Sequence, residues 1–167
     1  MNNSKPLPSY LAQRYHGWKA TTYQDNAVWY RNLAENGQHP RAMVISCCDS
    51  RVHVTSIFGA EQGEFFIHRN IANLVPPYLP DGANHGTSAA VEYAVKTLHV
   101  SHIIILGHSH CGGITSGLKL FKGDQISQES IFVNKWLNIL KPAYENISKN
   151  NNRFDKGLIE DLEKESI

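Results

Sequence analysis

The chain has 167 residues, 41% hydrophobic and 19% charged, with a formal net charge of +1. This is the size and balance of one globular domain with a single core, and the charge offers no electrostatic reason to bind nucleic acid or an anionic membrane. Three cysteines are too few and too odd for a disulfide framework, the polar start MNNSKPLPSY is no secretory signal, and the apolar run HIIILG is far too short to span a bilayer, so a reducing, cytoplasmic setting is expected.

In chain order, residues 1–10 are polar and contain proline, and 1–20 read as an N-terminal arm or helix ahead of one α/β domain over 21–167. Thr21 or Thr22 can cap a helix over YQDNAVWYRNLAENG, in which Ala27, Tyr30, Leu33 and Ala34 keep helical spacing and Gly37 suits a left-handed C-cap. AMVISC suits a strand buried on both faces, EFFIHRN reads as a second strand and HIIILG as a third, buried one. PPYLPDGANHG is a loop, and Thr87 or Ser88 can cap a helix over SAAVEYAVKTLHV with Ala90, Val91, Ala94, Val95 and Leu98 on one stripe. Further helices are expected over the segment after GHSHCGG, over SIFVNKWLNIL with Pro142 near its end, and over FDKGLIEDLEKESI. Strands alternating with helices predict a mostly parallel central sheet flanked by helices, with ligands in the crevice beyond the C-terminal strand ends. CCDSR and GHSHCGG each directly follow a strand and so belong there.

Cys47 and Cys48 are adjacent, which is the wrong spacing for a thioredoxin-like motif and a strained one for a disulfide. Only one of them can face the crevice, since side chains alternate along a strand, and Cys48 is expected to be a small packing residue. His108 and Cys111 form an H-x-x-C pair whose thiol opens a helix, where the macrodipole favours the thiolate. By itself that pair is weak evidence for a metal and fits a polar loop with one buried cysteine better. Cys47 supplies a third donor from the neighbouring strand end. One imidazole and two thiolates suit zinc, and three protein ligands leave a fourth position for water. Gly112 and Gly113 allow the backbone close to such a site. Asp49 and Arg51 share a face if strand geometry continues through them. As a surface ion pair they contribute about 0–1 kcal/mol; beside a metal, a carboxylate held by a guanidinium accepts the proton of a bound hydroxide and orients its lone pair.

Cys47-x-Asp49-x-Arg51, then HRNIAN at 68–73, then GHSHCGGI at 107–114, resemble in motif, order and spacing the β-class carbonic anhydrases, over about Asp25 to Ile147. The resemblance implies one zinc ion per chain on Cys47, His108 and Cys111, with Asp49 and Arg51 as a catalytic dyad. Gln38, Phe66, Ile71 and Tyr93 fall where the plant-like branch lines its CO2 pocket, Gly112 joins them as a substrate contact, and the PPY at 76–78 also resembles that branch. The activity implied is reversible hydration of carbon dioxide by zinc-bound hydroxide. The alternatives are hydrolysis of COS or CS2 on the same site, and an inactive zinc-binding structural or interaction protein. His68, His85 and His110 read as structural or solvated.

The resemblance also implies a homodimer or higher homo-oligomer, with Phe66 and Tyr93 acting across an interface and the aromatic N-terminal segment (Tyr10, Tyr15, Trp18, Tyr23) wrapping a neighbour. Neither nucleic acid nor membrane is expected as a partner. The family's C-terminal edge strand has no counterpart in the sequence, so an exposed sheet edge and lower stability are expected.

Overall fold

Helix begins within the expected arm. In the computed structural model, which describes residues 5–80, 85–123, 130–150 and 155–167, α1 runs over Ser9–Ala20, α2 over Thr22–Asp25 and α3 over Ala27–Asn36. The single helix expected from Thr21 or Thr22 to Gly37 is therefore broken. At the break, Asn26 turns both its backbone N–H and its side-chain amide back to the Thr22 carbonyl, 3.2 and 2.8 Å away. Asparagine competes with the helix ladder in this way. Gly37 has φ 78° as expected, but ψ of −177° takes it out of the left-handed helical well into a region that only glycine enters readily.

These helices form one compact unit, Met1–Gln38, which spans the expected boundary at residues 20 and 21; His39–Ile167 form the other. Within the first, Trp18 packs on Tyr23 and Tyr30, and Tyr23 stacks on Tyr30 at 5.2 Å between ring centres. Aromatic contacts thus tie α1 to α3.

In the second unit the three apolar runs form β1 (Ala42–Cys47), β2 (Phe65–Asn70) and β3 (His102–Leu106), with α4 (Val54–Phe58) and α5 (His85–Lys96) between them. The sheet is parallel in the order β2-β1-β3. Every residue of β1 is buried, as a central parallel strand covered on both faces requires. Val44 sits opposite Ile67 and Ile104, and Cys47, the last residue of β1, opposite Asn70.

After β3 come α6 (Gly112–Lys122), α7 (Ile131–Leu137), α8 (Lys141–Asn150) and α9 (Asp155–Glu165). Two apolar clusters hold this unit together. Met43 and Ile45 pack with Ala94 and with Phe66, Val91 and Ile105. Cys47 and Cys111 join Ile114 and Leu118 of α6, Leu137 and Leu140, Ile147 of α8, and Leu158 and Leu162 of α9. Full burial of a leucine contributes about 1.5–3 kcal/mol, so α9 is anchored chiefly by Leu158 and Leu162.

Several expectations are corrected here. The helix expected from Thr87 or Ser88 already includes His85, and the Thr87 hydroxyl instead meets His68 Nε2 at 2.9 Å and Asn70 Nδ2 at 3.3 Å. Val95 of its expected stripe is exposed. Pro142 lies in the first turn of α8, where the missing N–H has no ladder partner to lose, rather than closing the preceding helix. Cys48 is exposed, not packed: the ladder ends at Cys47, and the chain turns outward once the Cys48 N–H has reached the Asn70 carbonyl. Part of the expected loop, residues 81–84, lies outside the described residues, as does the His85 side chain. Among the described residues no helix is long and apolar enough to cross a membrane.

Candidate metal centre

The parallel sheet delivers two chain segments to the same end. Cys47 closes β1, and His108 follows β3 by two residues on a loop that ends at Cys111, the N-cap of α6. The donor atoms of Cys47, His108 and Cys111 all lie within 4.8 Å of one another, and no other such group of three occurs among the described residues. The two sulfurs are 3.8 Å apart, and both thiols are free and buried.

One local feature prepares this group for a cation, and another opposes it. His108 Nδ1 lies 3.1 Å from the Ser109 carbonyl, which can only accept, so the proton sits on Nδ1. Nε2 is then the nitrogen with a free lone pair, and it is buried without a hydrogen-bond partner. An orphaned buried acceptor beside two thiols is costly unless something binds there. Burial pushes the Cys111 thiol up to about 11, opposed by the Ile114 and Gly113 N–H groups and reinforced by Cys47. The helix end expected to favour the thiolate is outweighed by desolvation, so metal binding at this site must expel the proton.

Asp49 and Arg51 lie beyond the end of β1, and a turn rather than continued strand geometry brings them together. Arg51 Nε and Nη2 donate to Asp49 Oδ1 and Oδ2 at 2.9 and 2.8 Å, and the Arg51 backbone N–H adds a third bond to Oδ1 at 2.9 Å. These bonds hold the Asp49 carboxyl well below the usual carboxylate range. Its Oδ2 is 3.9 Å from His108 Nε2, so the anion stands at the rim of the donor cluster. Arg69, from the HRNIAN motif, fixes the same turn. Its Nε donates to the Cys47 carbonyl at 3.0 Å and its Nη2 to the Asp49 carbonyl at 2.8 Å.

The neighbouring turn, Ile71–Asn73, packs against the start of α6. Ala72 and Asn73 adopt positive φ (64° and 49°), and the turn is braced by Trp136 Nε1, which donates to the Ile71 carbonyl at 2.8 Å. A Cβ at Gly113 would fall 2.9 Å from both Ala72 Cβ and Ile71 Cγ2, whereas one at Gly112 would meet open space. Gly113 permits the close approach; Gly112 faces the open side beside Cys111.

Of the residues expected to line a substrate pocket, Ile71 and Gly112 lie next to the cluster in this way. Phe66 does not: it is level with Met43, four ladder positions from Cys47, or roughly 13 Å at about 3.3 Å per residue. Tyr93 packs on it at 5.8 Å and is 47% exposed. Gln38 is the last residue of the N-terminal unit and is exposed. His68 is half-buried against Thr87, and His110 is exposed with φ 55°.

One contact is not predictable from motif or spacing. Glu163 of α9 accepts the Cys111 N–H through Oε1 at 2.8 Å. Its only signal was position: it follows Ile159 by four residues, placing a carboxylate on the flank of the apolar stripe.

Fold and cluster together define an α/β protein with a Cys–His–Cys donor set at the C-terminal end of a parallel sheet. The profile of the carbonic anhydrase family matches residues 42–167, further along the chain than the motifs alone reach. The chain belongs to the β-class carbonic anhydrase family. It is 41% identical over 136 residues to β carbonic anhydrase 5, chloroplastic, of Arabidopsis thaliana, a match covering 81% of this chain and 43% of that protein. The structure of the β-carbonic anhydrase CcaA superposes with a TM-score of 0.82 at 33% identity, over 96% of this chain and 71% of that one. A tetrameric β-carbonic anhydrase of Sordaria macrospora gives 0.75 at 31% identity, over 93% and 74%. The chain spans about half the length of the curated relatives it matches.

Proposed function

We propose that the chain hydrates carbon dioxide reversibly to bicarbonate and a proton, with one zinc ion per chain held by Cys47, His108 and Cys111. The observation that carries this reading is the buried, unpartnered His108 Nε2 grouped with two buried thiols and with the Asp49 anion 3.9 Å away. Two sulfurs and one nitrogen are a donor set zinc accepts, and three protein donors leave a position open for chemistry. Zinc bound there supplies a Lewis acid that makes water nucleophilic near neutral pH.

The chain's own residues do the rest. Arg51 locks the Asp49 carboxylate with a bidentate contact, which fixes its plane and keeps it ionised. So held, Asp49 accepts the hydrogen bond of the attacking water and turns its lone pair toward the carbon of CO2. Arg69 keeps the turn that carries Asp49 in register with the end of β1. Ile71 and Gly112 form the near wall of the substrate position.

Phe66 and Tyr93 complete that wall in an assembly. The four-position offset of Phe66 from Cys47 and the exposure of Tyr93 support their acting on the centre of a second copy in a homodimer or higher homo-oligomer. A relative 31% identical is tetrameric by its published description. The three unpaired thiols favour a reducing compartment such as the cytoplasm.

Stopped-flow hydration of CO2 by the zinc-loaded chain, run beside CS2 hydrolysis, tests the reading. Zinc-dependent turnover of CO2 that Cys47→Ser abolishes is the expected result. Turnover of CS2 alone assigns the site to the other substrate, and a zinc-loaded chain inert toward both overturns the catalytic reading.

A further inference from the structure

The peptide unit joining His110 to Cys111 is gripped from both ends. Its carbonyl, on His110, accepts Arg51 Nη2 at 2.9 Å; its N–H, on Cys111, donates to Glu163 Oε1 at 2.8 Å. The grip falls where the backbone most needs holding. His110 is a non-glycine residue with φ 55°, and Cys111 is the N-cap of α6, whose N–H lies outside that helix's ladder. Orientation of this peptide plane sets the Cα–Cβ direction of Cys111, and with it where the sulfur stands relative to Cys47.

We propose that Glu163 is a positioning residue of the metal centre: from α9 it fixes the 110–111 peptide against Arg51, and so couples the Cys111 sulfur to the Asp49–Arg51 pair. The proposal rests on the zinc reading above and deepens it. The carboxylate is well placed to carry the load. Leu162, next to it, is fully buried, and Leu158 is nearly so, both in the cluster that contains Cys111, Ile114 and Leu118. α9 is therefore seated on α6 independently of Glu163. Arg51 consequently has two duties on adjacent groups, holding the Asp49 carboxylate and holding the loop that carries a metal ligand.

Partners that orient metal ligands typically contribute about 10–100-fold to metal affinity. The test uses Glu163→Ala, which removes the acceptor, and Glu163→Gln, which keeps an acceptor oxygen of the same reach without the charge. Cobalt(II) is titrated into the metal-free chain. Affinity and the cobalt–thiolate charge-transfer band are recorded, together with amide exchange at Cys111 and a circular dichroism melt to establish that each variant is folded. Glu163→Ala should bind cobalt about 10–100-fold more weakly with a shifted band, and exchange the Cys111 amide at least about tenfold faster. Glu163→Gln should stay within several-fold of wild type on each readout. Wild-type cobalt affinity and slow Cys111 exchange in Glu163→Ala would overturn the proposal. Glu163→Gln as weak as Glu163→Ala would overturn it as well, because charge and not position would then be responsible. A wild-type chain that takes up no cobalt overturns the zinc reading instead, and exchange at Cys111 in the two variants then decides the Glu163 contact alone.

Discussion

Gly113→Ala probes how the centre is packed with a single methyl group. The added carbon would stand 2.9 Å from Ala72 Cβ, 2.9 Å from Ile71 Cγ2 and 3.3 Å from the Ala72 nitrogen. Real Cβ atoms essentially never come that close, so something must move. The obstacle is stiff, because Ala72 already has φ 64° and the Ile71 carbonyl is tied to Trp136. Overpacking of this kind costs about 1–3 kcal/mol. Replacing glycine by alanine returns up to about 1 kcal/mol of helix propensity, and less in a first turn. The net expectation is a loss of about 1–2 kcal/mol. At roughly 3–5 °C per kcal/mol for a unit of this size, Tm falls by about 3–10 °C. Gly112→Ala is the control: its Cβ meets nothing within 4 Å, so it should melt at or slightly above wild type. Gly117→Ala should fall between them, since its 2.8 Å contact is with Leu140 Cδ1, the far end of a side chain that can rotate. Thermal melts and urea titrations of the three variants supply the values. Equal stability of the Gly112 and Gly113 variants would refute the reasoning.

Cys47→Ser should abolish stoichiometric zinc, measured by metal analysis after dialysis, while Cys48→Ser, at an exposed thiol, keeps both zinc and stability; equal loss in the two would reassign the ligand. Asp49→Asn should retain zinc and lower the CO2 hydration rate by about 10²-fold, the usual contribution of one positioned group, and near-normal turnover at saturating buffer would remove Asp49 from catalysis. Burial lowers the pKa of His68 below its ordinary 6.5, so the unfolded chain takes up that proton first as pH falls. Stability is therefore lost from about pH 6.5 downward until the folded group titrates too. The drop in urea midpoint between pH 7.5 and 5.5 should be smaller in His68→Asn than in wild type; the same drop in both would show that His68 is not protected from protonation.

The sheet was legible because a parallel strand covered on both faces must be a continuous apolar run, as AMVISC is; HIIILG, expected to be buried, and EFFIHRN form the two flanking strands and are partly exposed. The juxtaposition of the candidate donor residues was legible for a related reason. Residues that follow parallel strands share one end of the sheet, so Cys47 and His108 were bound to meet although sixty residues separate them. What escaped depends on single polar contacts. Asn26 breaks a helix whose apolar spacing runs straight through it. Cys48 faces outward because the ladder stops one residue earlier, and strand alternation has no force beyond that point. Glu163 reaches a backbone N–H fifty-two residues away, a pairing no periodicity encodes. The turn that joins Asp49 to Arg51 replaced the expected strand geometry with the same outcome, since a bidentate pair two residues apart forms in either conformation.

The central claim, that zinc is held by two thiolates and one imidazole at the end of β1 and β3, is tested most directly by zinc K-edge X-ray absorption on the purified chain. The account predicts two sulfur scatterers at about 2.3 Å, one imidazole nitrogen at about 2.0–2.1 Å, and one further light donor in the fourth position. Cys47→Ser should erase that signature, and Cys48→Ser should leave it unchanged. A shell without sulfur, or one with more than two sulfurs per zinc, would contradict the assignment of Cys47, His108 and Cys111.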